Sequence, residues 1–295
     1  MAAAAVCALG GGVVGGAGVA AAAPPGLRLP PLPEPLATWV KPPVPAEKRL
    51  ASSFAGFSTS MRKTNPGQIG IALVPVGSDA TISLGPLKTG RAWSTLKVPV
   101  SLAAERKLGY RIADKEKKAI AFSDNDAAGE LWGDLGGGRS SVAAVTDVLH
   151  EGHDTRTHVS SEADVPRSYP GHTRWALADQ ALFGAHLPCM PGSEHIIRLM
   201  SAVAPNQQWG AATLGRKRNV VTAVKGGWGP VSDASPGYLV RQLAILSTTQ
   251  GQVAVSMAAI PKSGRFADGT RMLDKMGDWL GRNMTTIPAG RCPLR

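Results

Sequence analysis

Ser94 and Lys97 are the pair of residues in this chain whose types and spacing best suit nucleophilic chemistry. They open a stretch over 96–108 with apolar residues at helical spacing, which predicts a helix that stops at Gly109. Residues three apart share one face of a helix, so the amine would lie beside the hydroxyl. A serine becomes a nucleophile when a neighbouring base takes its proton, and a lysine serves once burial lowers its pKa. The start of a helix also offers N–H groups to an oxyanion.

The same spacing occurs a second time, in Ser60 and Lys63. Asn65-Pro66-Gly67 follows closely and would end a helix within one turn. We therefore expect Ser94, and not Ser60, to be the nucleophile. The alternative for Ser94 alone is an ordinary helix-capping serine, because serine is favoured at that position.

Two further short motifs follow in the chain. Ser123-Asp124-Asn125 precedes a predicted helix over 126–135, and Lys225-Gly226-Gly227 ends a β-branched apolar run. Each has a simple structural alternative. The first consists of residue types that favour helix caps, and the second on its own would be a hairpin turn.

Ser-x-x-Lys, Ser-Asp-Asn and Lys-x-Gly in this order resemble the triple signature of the class A β-lactamases and penicillin-binding proteins. The resemblance covers roughly 65–283. It implies an α/β (α+β) fold of the β-lactamase/transpeptidase type, with an antiparallel sheet flanked by helices. The implied catalytic residues are Ser94, Lys97, Ser123 and Lys225, and the implied substrate-binding residues are Asn125, Gly226, Gly227 and Trp228.

The resemblance also implies a role for each group. Lys97 is the base for the nucleophile, and Ser123 relays a proton to the leaving nitrogen. The Asn125 amide holds the substrate carbonyl, and Lys225 attracts the substrate carboxylate. The N–H groups of Ser94 and Trp228 form the oxyanion hole. The expected substrates are β-lactams or the D-alanyl-D-alanine ends of wall peptides, and no cofactor is expected.

Three departures from the family pattern bear on function. Gly226 stands where the family has Thr or Ser, so we expect Gly226→Thr to strengthen acylation by restoring a hydrogen bond to the carboxylate. The segment between Lys97 and Ser123 is short, which predicts a reduced helical subdomain.

No Glu-x-x-Leu-Asn motif is present. Glu162 is the candidate base for deacylation, with a solvated loop carboxylate as the alternative. A catalytically degenerate wall-peptide binding module is therefore the alternative function.

The six histidines do not form a metal motif in the sequence. His150 and His153 lack the spacing of a His-Glu-x-x-His helix, and Gly152 lies between them. We therefore predict loop histidines and no metal site.

The pattern of the remaining chain predicts one α+β domain. Strands are expected over 69–76, 81–84, 219–225, 238–246 and 252–260. Further helices are expected over 173–187, 192–203 and 268–283, the last with Met272, Met276 and Trp279 to Leu280 on one stripe. Strands at both ends and helices between them indicate a sheet completed by distant segments.

The N-terminal region has a different composition. Residues 1–23 carry no charge and are almost wholly Ala, Gly and Val, which predicts a signal peptide, although the usual basic start is missing. Residues 24–48 are rich in proline and predict a tether, followed by the hydrolase domain at 49–295. We expect an exported monomer, with membrane attachment only through an uncleaved N-terminal segment.

Charge and cysteine content complete the prediction. The net charge is +11, but the basic residues are scattered and no nucleic-acid motif accompanies them, so nucleic acid is not an expected partner. Cys7 would leave with the signal peptide. Cys189 and Cys292 then remain as an even pair, which predicts a disulfide in an oxidising compartment. The alternative is a buried free Cys189 beside a frayed C-terminus.

Overall fold

The computed structural model describes residues 44–163, 169–218, 220–234 and 236–293. The predicted signal peptide and all of the predicted tether up to residue 43 lie outside the described residues. The helices of the described residues are α1 (Ala46–Thr64), α2 (Lys97–Leu108), α3 (Ala113–Ala121), α4 (Asn125–Asp134), α5 (Gly138–Glu151), α6 (Leu177–His186), α7 (Glu194–Ser201), α8 (Thr213–Arg218) and α9 (Phe266–Arg282). Its strands are β1 (Gly67–Pro75), β2 (Ile82–Leu84), β3 (Thr89–Arg91), β4 (Arg174–Ala176), β5 (Val221–Pro230), β6 (Tyr238–Thr248) and β7 (Gly251–Pro261).

Five of these strands form one antiparallel sheet in the order β2-β1-β7-β6-β5. The first two strands of the chain thus pair with the last three, as the distribution of strands along the sequence predicts. The central strands β1, β6 and β7 are buried on both faces. For this reason their sequences are nearly continuous apolar runs and do not alternate with polar residues.

Helices cover both faces of the sheet. On one face α9 lays its apolar stripe against β6 and β7, and α1 packs beside it. Met272, Met276, Trp279 and Leu280 of α9 are all buried, so the predicted stripe is confirmed. On the other face α6 contacts β1 and β7 through small residues such as Ala181. The small side chains allow the helix to lie close to the sheet.

A block of helices, α2 to α5 with α7, lies beyond the sheet and supplies one wall of the candidate site. Residues 97–104 of α2 are buried on every side, so this helix is the centre of the block. The link from Lys97 to Ser123 contains only α2, a short 3-10 turn and α3. Within the described residues, the fold is therefore the predicted antiparallel sheet with flanking helices.

The disulfide between Cys189 and Cys292 is present, across 103 residues of sequence. Cys189 ends a 3-10 turn directly after α6, and Cys292 follows α9 near the end of the described chain. Both half-cystines pack against the core of the helical block. The bond therefore attaches the C-terminal segment to that block. Of the helices described, none combines the length and apolar character that crossing a bilayer requires.

Some elements differ from the sequence-based expectation. Helix α1 begins at Ala46, inside the segment predicted as tether. Helices α3 and α5 and the two-stranded ribbon of β3 and β4 were not predicted. The Gly136–Gly138 run does make the predicted turn, because all three residues have positive φ, yet α5 starts immediately at Gly138.

Candidate active site

Ser94 lies in a 3-10 turn, Trp93–Leu96, that leads directly into α2. The turn is held at its base because the Ala92 carbonyl accepts hydrogen bonds from the Thr95 N–H (3.1 Å) and the Thr95 hydroxyl (2.6 Å). Ser94 and Lys97 line the same cavity, of about 590 Å³. The nucleophile candidate therefore stands at a helix start, where free N–H groups are available.

Lys97 is buried at the start of α2, and its amine is surrounded by oxygens. The Nζ atom donates to the Ser123 carbonyl (2.7 Å), the Asp124 carbonyl (2.9 Å) and the Asn125 Oδ1 (2.8 Å). Burial lowers the pKa of Lys97 to about 8, against the opposing charge of Asp124. Three acceptors match the three N–H groups of the ammonium form, and a pKa near 8 makes the neutral base accessible.

The Ser123-Asp124-Asn125 motif acts both as a cap and as part of the site. Asp124 accepts a hydrogen bond from the Ala127 N–H (2.8 Å), so it caps α4 as the simple alternative predicted. Ser123 adopts a left-handed backbone (φ 61°), which is uncommon for a residue with a side chain. This conformation places its carbonyl against Lys97 and its hydroxyl against Lys225.

Lys225 is fully buried in the middle of β5. Its Nζ donates to the Ser123 Oγ (2.8 Å) and to the Gly226 carbonyl (3.0 Å). Burial, and to a smaller extent the charge of Lys97, holds the pKa of Lys225 well below its ordinary value. Ser123 thus lies between two lysines and contacts each through a different oxygen.

The two glycines after Lys225 face opposite sides of β5, because side chains alternate along a strand. A Cβ on Gly227 would lie 2.8 Å from the Ala92 carbonyl oxygen and 3.0 Å from the Ser94 nitrogen. Only glycine lets the strand approach the Ser94 turn this closely. The following residue, Trp228, lines the cavity.

Gly226 faces the other side of β5. The expectation that a threonine hydroxyl would fit at this position needs correction. A Cβ there would lie 2.5 Å from Cζ2 and 2.7 Å from Cη2 of Trp209. The indole of Trp209 is buried and packs near Trp228 and Phe266. The position is filled by an aromatic ring from another segment, so the expected gain from Gly226→Thr does not fit the structure.

Glu162 lies on the wall of the same cavity as Ser94. Its Oε1 accepts a hydrogen bond from the Gly138 N–H (3.0 Å) at the start of α5. The hydrogen bonds from its own N–H and from Gly138 hold the pKa of this carboxyl below its ordinary value. Glu162 is therefore an ionised carboxylate near the site, although its side chain is largely exposed.

Aromatic side chains form much of the remaining wall and were not predicted from the sequence. Trp93, Trp132 and Tyr169 join Trp228 around the cavity. Trp93 directly precedes Ser94, and this position next to the motif is the signal in the sequence that could have placed it in the site. Its left-handed backbone (φ 48°) is visible only in the structure. An aromatic wall favours a substrate that carries an apolar or aromatic group.

A buried arginine, Arg241, makes hydrogen bonds to the segments next to the Ser94 turn. Arg241 of β6 donates to the carbonyls of Gly90 (3.0 Å), Arg91 (3.1 Å) and Trp175 (3.1 Å). It also donates to the Gln180 Oε1 (2.7 Å), and the Gln180 amide in turn donates to the Thr95 hydroxyl (2.8 Å). Hydrogen bonds thus connect β6 to the residue that follows the candidate nucleophile.

Comparisons with known proteins identify the fold. A solved class A β-lactamase from Bacteroides cellulosilyticus (TM-score 0.64, 10% identity, 83% of this chain and 100% of that chain) is similar to this chain. A solved β-lactamase from Sphaerobacter thermophilus (0.60, 17%, 81% and 99%) is also similar to it. So is an ancestral class A β-lactamase, GNCA (0.56, 18%, 78% and 98%). No family model matches the sequence, and no curated protein matches it. The chain has the β-lactamase/transpeptidase-like fold.

Proposed function

We propose that this protein is a serine hydrolase that forms an acyl-enzyme at Ser94 with β-lactams or with the D-Ala-D-Ala ends of wall peptides. One observation carries the proposal. Ser123 is hydrogen-bonded to Lys97 through its carbonyl and to Lys225 through its hydroxyl, beside the cavity that Ser94 lines. A nucleophile, a base and a proton relay next to a buried cation are the components of acyl transfer.

In acylation, neutral Lys97 takes the proton of the Ser94 hydroxyl while Oγ attacks the substrate carbonyl carbon. The N–H groups of Ser94 and Trp228 stabilise the oxyanion. As the carbonyl–nitrogen bond breaks, Ser123 gives its hydroxyl proton to the leaving nitrogen. The protonated Lys97, which contacts the Ser123 carbonyl in this structure, turns to the hydroxyl and replaces that proton. Lys225 beside the Ser123 hydroxyl stabilises negative charge there and attracts the substrate carboxylate.

Deacylation requires a water and a base. Glu162 is an ionised carboxylate on the cavity wall, and we assign it this role. The residues after Glu162 do not match Glu-x-x-Leu-Asn, and its Oε1 is occupied by the Gly138 N–H. We therefore expect hydrolysis to be slow relative to acylation, so that an acyl-enzyme accumulates.

A wall-peptide binding module without turnover is the second candidate. It is favoured by the three acceptors around Lys97, which suit the charged form of the amine, and by Trp209, which fills the space beside Gly226 where a hydroxyl would have to lie. Such a module would bind the peptide through Asn125 and Lys225 and form no covalent bond.

Intact-mass measurement after incubation with a fluorescent penicillin distinguishes the two functions. The hydrolase predicts one adduct per chain that is absent from Ser94→Ala and retained by Ser60→Ala, the exposed serine of the second Ser-x-x-Lys copy. Decay of the adduct measures turnover, and Glu162→Gln should slow that decay without slowing adduct formation. No adduct, together with retained binding of a D-Ala-D-Ala peptide, would favour the binding module.

The cellular setting is part of the same proposal. We propose that residues 1–23 direct export and that the mature chain acts as a monomer on a β-lactam or a peptidoglycan stem peptide, without nucleic acid. The disulfide is compatible with an oxidising compartment. N-terminal sequencing of the protein recovered from outside the cytoplasm tests export.

A further inference from the structure

We infer that Asp79, His153 and His186 form a binding site for a late first-row divalent metal ion such as Zn²⁺. The three residues come from separate segments. Asp79 lies in the turn after β1, His153 follows the end of α5, and His186 is the last residue of α6. Their sequence separations of 74 and 107 residues explain why no spacing motif indicates the site.

The donor atoms converge on one point. The His153 Nδ1 and the His186 Nε2 lie 2.9 Å and 2.7 Å from the same oxygen, Oδ1 of Asp79. The three ligand atoms all lie within 4.8 Å of one another. Ligand atoms in a tetrahedral zinc site with bonds of about 2.1 Å are about 3.4 Å apart. Rotation of the two imidazoles out of their stacked arrangement would bring all three atoms to bonding distance from one ion.

The segments that present these ligands are held in place by the fold. The Gly77 N–H donates to the Ala185 carbonyl (3.0 Å), which ties the Asp79 turn to the end of α6. His153 has a left-handed backbone (φ 64°), and its N–H donates to the His150 carbonyl (2.9 Å). The two imidazole rings are nearly parallel, with centroids 3.6 Å apart. Imidazole nitrogens bind a metal in the plane of the ring, so the two rings would turn apart to share one ion while the backbone that carries them stays in place.

The loop that carries His153 has an additional anchor next to it. Asp154 is buried, and its carboxylate accepts hydrogen bonds from the indole N–H of Trp175 (2.7 Å) and the backbone N–H of Thr157 (3.1 Å). His186 is also largely buried, with 12% of its side chain exposed. The backbone at both histidines is therefore positioned by the core, and the half-exposed His153 ring has room to turn toward an ion.

The ligand set indicates which metal would bind. Two imidazoles and one carboxylate suit Zn²⁺, Cu²⁺ or Ni²⁺, whereas Ca²⁺ and Mg²⁺ prefer six or more oxygen ligands. Asp79 and His153 are exposed at 67% and 49% of their side chains, so a fourth position is open to water. None of the three residues is among those that line the Ser94 cavity. The site is thus a separate one, and the ion would clamp the Asp79 turn to the helical block.

Zinc binding to the tag-free, chelator-treated full chain tests the inference. Isothermal titration with Zn²⁺ is expected to give one ion per chain, and the Tm should rise when zinc is in excess. Co²⁺ in place of Zn²⁺ should give the visible absorption of a four-coordinate ion. His153→Gln and His186→Gln should each lower the affinity at least 10-fold, and the double variant should abolish stoichiometric binding. His158→Ala, an exposed histidine in the same loop, is the matched control and should bind as the wild type does.

The outcomes separate a metal site from a hydrogen-bonded cluster. Glutamine keeps an N–H donor for Asp79, so the variants should fold, which circular dichroism checks. The inference fails if the wild type binds no more zinc than the double variant, or if zinc raises the Tm of both proteins equally. It also fails if His158→Ala loses binding as the other variants do. Acylation of Ser94 is not part of the test, so failure here leaves the proposed function untouched.

Discussion

The packing of Trp209 against Gly226 leads to a prediction opposite to the one made from the motif alone. We expect Gly226→Thr to destabilise the fold and to bring no gain in acylation. The new Cβ would lie 2.5 Å and 2.7 Å from two carbons of the Trp209 ring, whereas carbon atoms in contact are about 3.5–4.0 Å apart. Trp209 is only 7% exposed and is bounded by Trp228 and Phe266, so the ring has little space to move.

The size of the effect follows from the cost of overpacking a buried site. Added methyl groups in a filled core cost about 1–3 kcal/mol, and threonine brings three heavy atoms. For a domain of this length about 2 kcal/mol corresponds to a Tm lower by about 4–8 °C. Because Trp209 packs near Trp228, whose N–H is assigned to the oxyanion hole, a displaced ring should also lower the acylation rate.

Thermal unfolding and second-order acylation rates with a fluorescent penicillin measure both effects. Gly226→Ala tests the Cβ alone, and Gly56→Ala is its control, because a Cβ at that helical position meets no atom within 4 Å. Trp209→Leu in the Gly226→Thr background should recover stability, with a coupling of about 1 kcal/mol or more between the two sites. A Gly226→Thr protein with unchanged Tm and faster acylation would refute this reasoning.

Three other predictions concern Lys97, the disulfide and Glu116. Because the pKa of Lys97 is about 8 and the base must be neutral, the acylation rate should rise about 10-fold per pH unit up to about pH 8 and then level off; a flat profile would contradict this. Reducing the Cys189–Cys292 bond should lower the free energy of unfolding by about 2–4 kcal/mol, and denatured, unreduced protein lacking residues 1–23 should titrate no thiols. Glu116 of α3 is buried, which with the charge of Glu105 raises its pKa to about 8, so the charged form is disfavoured in the fold. Stability should therefore fall by about 1 kcal/mol per pH unit between about pH 4.5 and pH 8, and Glu116→Gln should remove that slope in pH-dependent urea unfolding.

The sequence predicts the sheet and several helices because their patterns are strong. The apolar runs of β1, β6 and β7 are long, β5 begins with a short β-branched run, and α9 has a clear stripe. Helix α3 was missed because its charged residues dominate a short segment in which Ala119 and Ile120 are among the few that face the core. Strands β3 and β4 have three residues each, too few for any periodicity.

Motif order also predicts which polar side chains gather around the cavity, but it does not predict what they contact. Ser94, Lys97, Ser123 and Asn125 line the cavity together, as the resemblance implies. Ser123 makes hydrogen bonds through both its carbonyl and its hydroxyl. These contacts depend on a left-handed backbone, which a serine in the sequence does not indicate. Gly226 has a neighbour, Trp209, that is close only in the folded chain.

The support of the Ser94 turn shows why residues outside the motifs matter to the site. Arg241 is fully buried, and a buried charge is costly unless its donors are satisfied. Carbonyl groups of β3 and β4 and the side chain of Gln180 accept hydrogen bonds from its two terminal nitrogens, whereas its Nε has no partner among the described residues. Burial lowers the pKa of Arg241 to about 9. The arginine therefore joins the short β3–β4 ribbon to β6 where the chain enters the turn. Through Gln180 and Thr95, the position of the proposed nucleophile depends on a strand that contains none of the three motifs.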